Sequence, residues 1–389
     1  MYSGKTIFAQ LMDVVPKYEF QKIVKRHKGN NRVRKLTCRE QFICMCFGQL
    51  TFRDSLRDVT TTLNALDGKR YHMGLSHKVP LSTLSDANSN RPWQMYQDLA
   101  LVLVEHARNL YGNDQVGLEK AKQVFALDST TIDLCLSLFP WAQFHHGKGA
   151  IKMHTLMDLQ GSIPVFIHIT DGRVHDVNVL DDIAIQPGAI YIMDRGYIDF
   201  NRLFKIHRQG GKFVIRAKKN LKFYRKSSIP VTAQQGLKCD QSIRLISPKS
   251  KTDYPEVLRR VHVIDKENNQ DIVILTNIES ATAEQIAAYY KQRWQIELFF
   301  KWIKQNLRIK AFYGNSINAV KTQIWTAVCT YMILIIIHKR FELSVTLHTM
   351  MQVLSVSLLE YMTFKELFLN PKLTESMASN ANQLGLFDF

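Results

Sequence analysis

The chain has 389 residues, is 46% hydrophobic and carries a net charge of +17, from 51 Lys plus Arg against 34 Asp plus Glu. That length can bury a large core and allows two or three domains, and the charge points to a polyanionic partner, nucleic acid or an anionic membrane surface, unless the chain is simply basic. The six cysteines, at 38, 44, 46, 135, 239 and 329, make no C-x-x-C pair and no zinc-finger spacing, so they read as reduced, mostly buried thiols of a cytoplasmic protein.

In chain order, the start "MYSGKTIFAQLMDVVPKYEF" lacks the continuous apolar stretch and small-residue cleavage site of a secretory signal. Residues 1–118 read as helical. "LTCREQFICMCFGQL" (36–50) has apolar residues at helical spacing, Thr51 is expected to cap a helix over 51–66, and "PLSTLSDAN" (80–88) starts another. Residues 17–39 hold nine Lys/Arg against one acid, Glu19. Short helices beside a basic segment suit DNA docking; a solvated charged face is the alternative.

The pattern changes at 122. "KQVFALDST" is a short apolar run ending in Asp128, and "AIKMHTLMDL" and "SIPVFIHIT" read as strands joined by a turn at Gln160-Gly161. A helix-like stretch covers 176–185, and "GAIYIMDRGYID" gives a buried strand ending in Asp194. "FNRLFKIHRQGG" reads as a helix closed by Gly210-Gly211, before the strand "KFVIRAK". Three strands followed by alternating helix and strand predict an α/β domain with a mixed sheet. Residues 220–280 are polar and strand-like, as a β-rich insertion would be. Helical character resumes over 282–307, with Thr282 as N-cap and Gln285 completing a capping box. The apolar run "IWTAVCTYMILIII" (324–337) is shorter than the roughly 20 residues of a membrane span, which predicts a buried helix. "SMASNAN" near the C-terminus reads as a flexible tether.

The stretch "YYKQRWQIELFFKWIK" (289–304) holds a single acid, Glu297, among cations. On a continuous helix with Tyr290 at 0°, Arg293, Glu297 and Lys304 fall at about 300°, 340° and 320°, with Lys301 beside them at about 20°. An ordinary ladder of i,i+4 ion pairs has this spacing too, but it says nothing about Asp128 or Asp194. Each of those acids is expected at the C-terminal end of an apolar strand, "VFALD" and "IYIMD". A carboxylate there is costly unless paired or bound to metal, although Asp128, followed by "STT", also suits a cap or turn. With Glu297 the two can form a three-carboxylate site whose hard oxygens suit Mg²⁺. Two such ions about 4 Å apart can serve an in-line phosphoryl displacement.

Tyr290-x2-Arg293-x3-Glu297-x6-Lys304 resembles the Y-R-E-K signature of a large group of bacterial DDE insertion-sequence transposases. Asp128 in "FALDST" and Asp194 in "IMDRGY" match the first two acids of that family's triad, and the separations of 66 and 103 residues also fit. "HGKGAIKMHTLMDL" and "DGRVHDVNVL" look similar as well, so the resemblance covers most of 120–340. It implies a helical N-terminal DNA-binding domain (1–118) and an RNase H-like catalytic domain (119–345) interrupted by a β-rich insertion at about 218–281. A C-terminal helix and flexible tail (346–389) would follow. It also implies that Asp128, Asp194 and Glu297 hold two Mg²⁺ ions, with Mn²⁺ able to substitute. The reaction would be cleavage at the ends of a mobile element and joining to target DNA. Tyr290, Arg293, Lys301 and Lys304 would contact DNA phosphate. The partners would be the terminal inverted repeats and target DNA, with two protomers in the complex and a cytoplasmic, nucleoid-associated location. A catalytically inactive DNA-binding regulator of transposition is the alternative, and a nuclease without strand transfer is a third reading. Some relatives cut through a DNA hairpin and stack a flipped base on a tryptophan of the insertion. Here no Trp lies in 200–285, and Phe223 or Tyr224 would have to substitute.

Residues 202–226 carry ten Lys/Arg and no acid, an electrostatic footprint for DNA backbone. His145, His146 and His154 have no cysteine near them, and Asp158 is too far along a strand from His154 to share an ion. His175-Asp176 is a slightly better site candidate, behind the metal ligands and not among them, without an assigned role. No P-loop or G-x-G-x-x-G is present. Nothing amphipathic supports a membrane anchor. The tail "NQLGLFDF" contains Gln383, Leu384, Leu386 and Phe387 in the Q-L-x-L-F pattern of peptides that dock on the bacterial sliding clamp. An apolar end packed on the last helix is the alternative.

Overall fold

The structure, a computed structural model, describes residues 4–112, 123–144, 148–231, 236–265, 270–307, 309 and 311–368. It divides into two compact units, neither continuous in sequence: residues 1–113, 132–142 and 300–389 in one, and 114–131 and 143–299 in the other. The first unit opens with α1 (Ile7–Met12), α2 (Lys17–Arg26), α3 (Cys38–Leu50), α4 (Leu56–Ala65), α5 (Asp67–Arg70), α6 (Leu81–Asn90) and α7 (Gln94–Tyr111). Thr37 starts α3 with a full capping box, in which its hydroxyl accepts from the Glu40 N–H and the Glu40 carboxylate accepts from the Thr37 N–H. The cap expected at Thr51 falls elsewhere. Thr51 closes α3 by donating its hydroxyl to Phe47 O (2.7 Å), Phe52 turns left-handed at φ 54°, and Ser55 caps α4.

The second unit is built on one sheet. Its strands are β1 (Val124–Leu134), β2 (Gly149–Asp158), β3 (Ile163–Asp171), β4 (Ile190–Met193) and β5 (Lys212–Arg216), then β6 (Phe223–Ile229), β7 (Leu237–Leu245), β8 (Leu258–Asp265) and β9 (Gln270–Thr276). Their spatial order is β3-β2-β1-β4-β5-β9-β8-β7-β6. β1 with β4 and β4 with β5 are parallel; β2 with β3, and the pairings from β5 through β9 to β6, are antiparallel. The sheet is thus mixed, as the alternation of elements predicts. Residues 223–276 do not fold apart from it: β9 pairs along β5, satisfying an edge that would otherwise expose its backbone groups.

Alternation along the strands decides what each face carries. Phe125, Leu127, Tyr191, Met193, Phe213 and Ile215 join the core cluster on one face. That face is covered by the 3₁₀ turns Asp176–Asp181 and Arg195–Tyr197, by α8 (Phe200–Arg208) and by α9 (Pro248–Asp253). Ala126, Ile192 and Val214 point the other way, toward α10 (Ala283–Lys291), which packs on β4, β5, β7, β8 and β9. The Thr282–Gln285 capping box is present at the start of α10. The next helix, α11, spans Trp294–Asn306. The continuous helix expected over 289–304 is therefore two helices. Arg293, Gln295 and Ile296 donate to the carbonyls of Tyr290, Gln292 and Arg293, and these i→i−3 bonds tighten the chain into a turn.

The chain returns to the helical unit with α12 (Ile317–Arg340), α13 (Leu347–Ser357) and α14 (Phe364–Phe368). At 24 residues α12 is longer than its apolar run suggests and meets the length and composition of a membrane span, yet 94% of its most apolar window is buried within the protein. Its neighbours include α3, α6 and α7. A helix apolar all round needs protein on every side, and this need gathers the C-terminal helices around the N-terminal ones. The tail motif at 383–387 lies outside the described residues.

Candidate active site

The register of β1 on β4 builds the site. The last pairs are Ala126 with Ile192 and Leu127 with Met193, so Asp128 and Asp194 are the next residue on each of two adjacent parallel strands. Such strands run about 4.8 Å apart, and the parity of Ala126 and Ile192 puts both acids toward α10. β1 itself runs on to Leu134, so Asp128 stands mid-strand and not at a strand end; what ends there is its pairing with β4.

Helices α10 and α11 bring the remaining groups. The Tyr290 hydroxyl donates to Asp194 Oδ1 (3.3 Å). The Arg293 guanidinium forks, with Nη1 3.1 Å from Asp128 Oδ2 and Nη2 2.6 Å from Glu297 Oε1. The same guanidinium lies 5.8 Å from the centre of the Tyr290 ring. The turn at Gln292–Arg293 sets this geometry: Arg293 leaves the chain between two helices and reaches a carboxylate 165 residues away in sequence. The i,i+4 pair with Glu297 is present, but it is half of a bridge to β1. The structure therefore brings Asp128, Asp194, Glu297, Tyr290 and Arg293 together. Lys301 is exposed and Lys304 half-buried further along α11, and neither takes part in these bonds.

Burial pushes the Asp128 carboxyl up from its ordinary 3.8 to about 6; the Ser129 N–H and Arg293 oppose the shift, while Glu297 and Asp194 add to it. Burial likewise raises the Tyr290 phenol, against the charges of Arg293 and Arg216. Three carboxylates whose charges disfavour one another are the donor set that a hard divalent cation suits. Among the described residues, however, no three His, Cys, Asp or Glu side chains converge into a metal centre; the Arg293 guanidinium bridges Asp128 and Glu297 instead. As hard oxygen donors, the carboxylates of Asp128, Asp194 and Glu297 are of a chemistry that suits a divalent ion.

A second set of groups was only partly legible in the sequence. Ser129, Lys152, His154 and Asp176 meet on the far side of Asp128. His175-Asp176 stands in the sequence as a candidate without a role, and nothing local links Asp176 to Ser129. His154 is fully buried with Nε2 3.0 Å from Thr170 Oγ1, and burial lowers its pKa to about 4. His145 and His146 lie outside the described residues. Of the ten cations over 202–226, Arg202 pairs with Asp181 and Asp199, while Lys218, Lys219 and Lys222 are exposed in the connection from β5 to β6, and Arg225 and Lys226 on β6, an edge strand.

Residues 119–333, more than half of the chain, match the family described as transposase DDE domain, and residues 3–76 match a domain of unknown function. The chain belongs to the transposase DDE domain family, whose catalytic domain has an RNase H-like fold and which generally uses divalent metal ions. It is 36% identical over 255 residues to a protein named as transposase y4zB of Sinorhizobium fredii, a match that covers 64% of this chain and 69% of that one. It is 28% identical over 255 residues to a protein of Geobacillus stearothermophilus named as a transposase for insertion sequence element IS5377, covering 65% of this chain and 66% of the relative. A cryo-EM structure of a piggyBac transposase synaptic complex with hairpin DNA matches at a TM-score of 0.45 and 12% identity, over 96% of this chain and 82% of that one. By family and relatives the chain is a bacterial DDE transposase.

Proposed function

We propose that this transposase is of the Y-R-E-K group, that it cuts at the ends of its element and joins them to target DNA, and that Asp128, Asp194 and Glu297 are its catalytic acids. The observation that carries this reading is the register that sets Asp128 beside Asp194, with Glu297 tied to Asp128 through Arg293. Two Mg²⁺ ions, or Mn²⁺ in their place, held by the three acids would supply activation of the attacking oxygen and charge stabilisation at the leaving one. The protein's own part is to bind and orient. Arg293 offers a planar fork that phosphate can take over from the carboxylates, Tyr290 offers a hydroxyl, and Lys301 and Lys304 add point charges along α11. DNA is the partner, as element ends and target, with two protomers bridging two ends at the nucleoid. A cleft of about 700 Å³ lined by Lys17, Lys25, Lys28, Arg39, Asn30 and Asn31 on the α2–α3 side of the helical unit suits DNA backbone. The 383–387 motif would dock the tail on the sliding clamp; a tail peptide whose binding is unchanged by Leu386→Ala and Phe387→Ala ends that part.

The deciding experiment supplies the protein in trans to its own element ends with Mg²⁺ and follows excision and joining. Asp128→Asn, Asp194→Asn and Glu297→Gln should each bind DNA and neither cut nor join. A variant that keeps wild-type activity removes that acid from the site. A wild type that binds the ends and never cuts makes the protein a regulator, and one that cuts without joining makes it a nuclease.

A further inference from the structure

Side chains alternate along β1, so the residue after Asp128 points through the sheet to the opposite face. That residue, Ser129, touches both sides. Its backbone N–H donates to Asp128 Oδ1 (2.8 Å), and its hydroxyl donates to Asp176 Oδ1 (2.9 Å) at the start of the 3₁₀ turn 176–181. Asp176 is itself held. Lys152 Nζ lies 3.1 Å from the same Oδ1 and donates to Val174 O at 2.9 Å, which ties the turn to β2. The buried His154 ring stands behind, with Nδ1 3.8 Å from that oxygen. An acid outside the catalytic set, 48 residues along the chain from Asp128, is thus fixed by a lysine and connected to Asp128 through one serine.

We propose that Asp176 is a positioning residue: through Ser129 it fixes the orientation of the Asp128 carboxylate for a divalent ion. The inference rests on Asp128 being a metal ligand. The Ser129 N–H holds Oδ1 and thereby leaves Oδ2 as the oxygen that Arg293 meets. The hydroxyl's bond to Asp176 adds a restraint to the strand residue whose N–H meets Asp128. Lys152 neutralises Asp176, so the anchor adds little negative charge to a site that already holds three acids. Carboxylates that ligate metals are commonly oriented by such outer hydrogen bonds, and removing one weakens metal affinity by about 10–100-fold. A purely structural Asp176, pinning residues 172–181 to the sheet, would change stability and not affinity.

The test is Mn²⁺ binding to the DNA-free full-length chain, followed by loss of the free-ion paramagnetic resonance signal, with thermal melting of every variant alongside. Ser129→Ala and Asp176→Ala should each weaken Mn²⁺ binding by about 10–100-fold, the double variant should be no weaker than either single one, and Ser129→Thr, which keeps the hydroxyl, should bind as wild type. Ser129→Ala removes one small side-chain group, so it decides the matter even if Asp176→Ala does not fold. Wild-type affinity in Ser129→Ala, or additive losses in the double variant, overturns the inference. If wild type takes up no Mn²⁺, or Asp128→Asn takes it up unchanged, the metal-ligand reading itself falls, and the positioning role falls with it.

Discussion

Asp128 is held in a poor place for a charge: its side chain is 20% exposed, with two further acids nearby and one guanidinium to offset them. Its folded pKa, about 6, lies above its ordinary 3.8. The folded state therefore binds its proton more tightly than the unfolded one, and stability from this group is greatest below pH 4, falls as pH rises to 6, and is level above. Asp128→Asn removes the ionisation and should stabilise the protein at pH 8 by about 3 kcal/mol, a gain that vanishes near pH 4. Chemical denaturation of both proteins at the two pH values checks this. A variant less stable than wild type at pH 8 would mean that the Arg293 pairing outweighs burial. The same substitution should abolish cleavage, so stability and activity would move in opposite directions, as expected where a site accepts electrostatic strain for function.

At the scale of elements, short hydrogen-bonding patterns were the legible part. The Thr282 capping box and the closure of α8 by Gly210-Gly211 needed only a few residues of context. The break between α10 and α11 was not legible, because "KQRWQ" has good helix formers and no Gly or Pro to mark a stop. The Thr51 cap failed for a related reason: Thr51 has the right chemistry, but Phe52 takes a left-handed turn there and the next helix starts at Ser55 instead. Gly211 offers a test at this scale. A Cβ on it would meet Ile185 Cγ2 and Ile206 Cγ2, each at 2.8 Å, where α8 hands over to β5. Gly211→Ala should destabilise by about 1–3 kcal/mol through overpacking. Gly196, just past Asp194, has nothing within 4 Å of its added Cβ, and Gly196→Ala should stay within about 0.5 kcal/mol of wild type. Equal urea midpoints for the two variants would contradict the packing described around Gly211.

For the molecule as a whole, the +17 charge matters through where it is displayed. Lys25, Lys28 and Arg39 are exposed and line the α2–α3 cleft, whereas Arg202 is consumed by Asp181 and Asp199. If the cleft takes DNA phosphates, the triple variant Lys25→Ala, Lys28→Ala, Arg39→Ala should lower the slope of log affinity against log salt by about 2–3, near 0.9 per lost contact. Fluorescence polarisation with a DNA duplex between 50 and 200 mM salt, on the order of the range where such slopes are read, gives the number. An unchanged slope assigns the cleft no part in DNA binding.

The sequence by itself determined the candidate acids, the Tyr290–Arg293–Glu297 spacing, the mixed α/β character and the family likeness. All of these are written in residue types, short spacings and local periodicity. Only the tertiary structure decided that Asp128 and Asp194 fall side by side, that Arg293 bridges β1 to α11, that Ser129 couples Asp128 to Asp176, and that the C-terminal helices pack with the N-terminal ones. Those facts depend on strand register and on contacts between residues far apart in the chain, and a period of two or of 3.6 residues fixes which face a side chain occupies but not which distant residue it meets there.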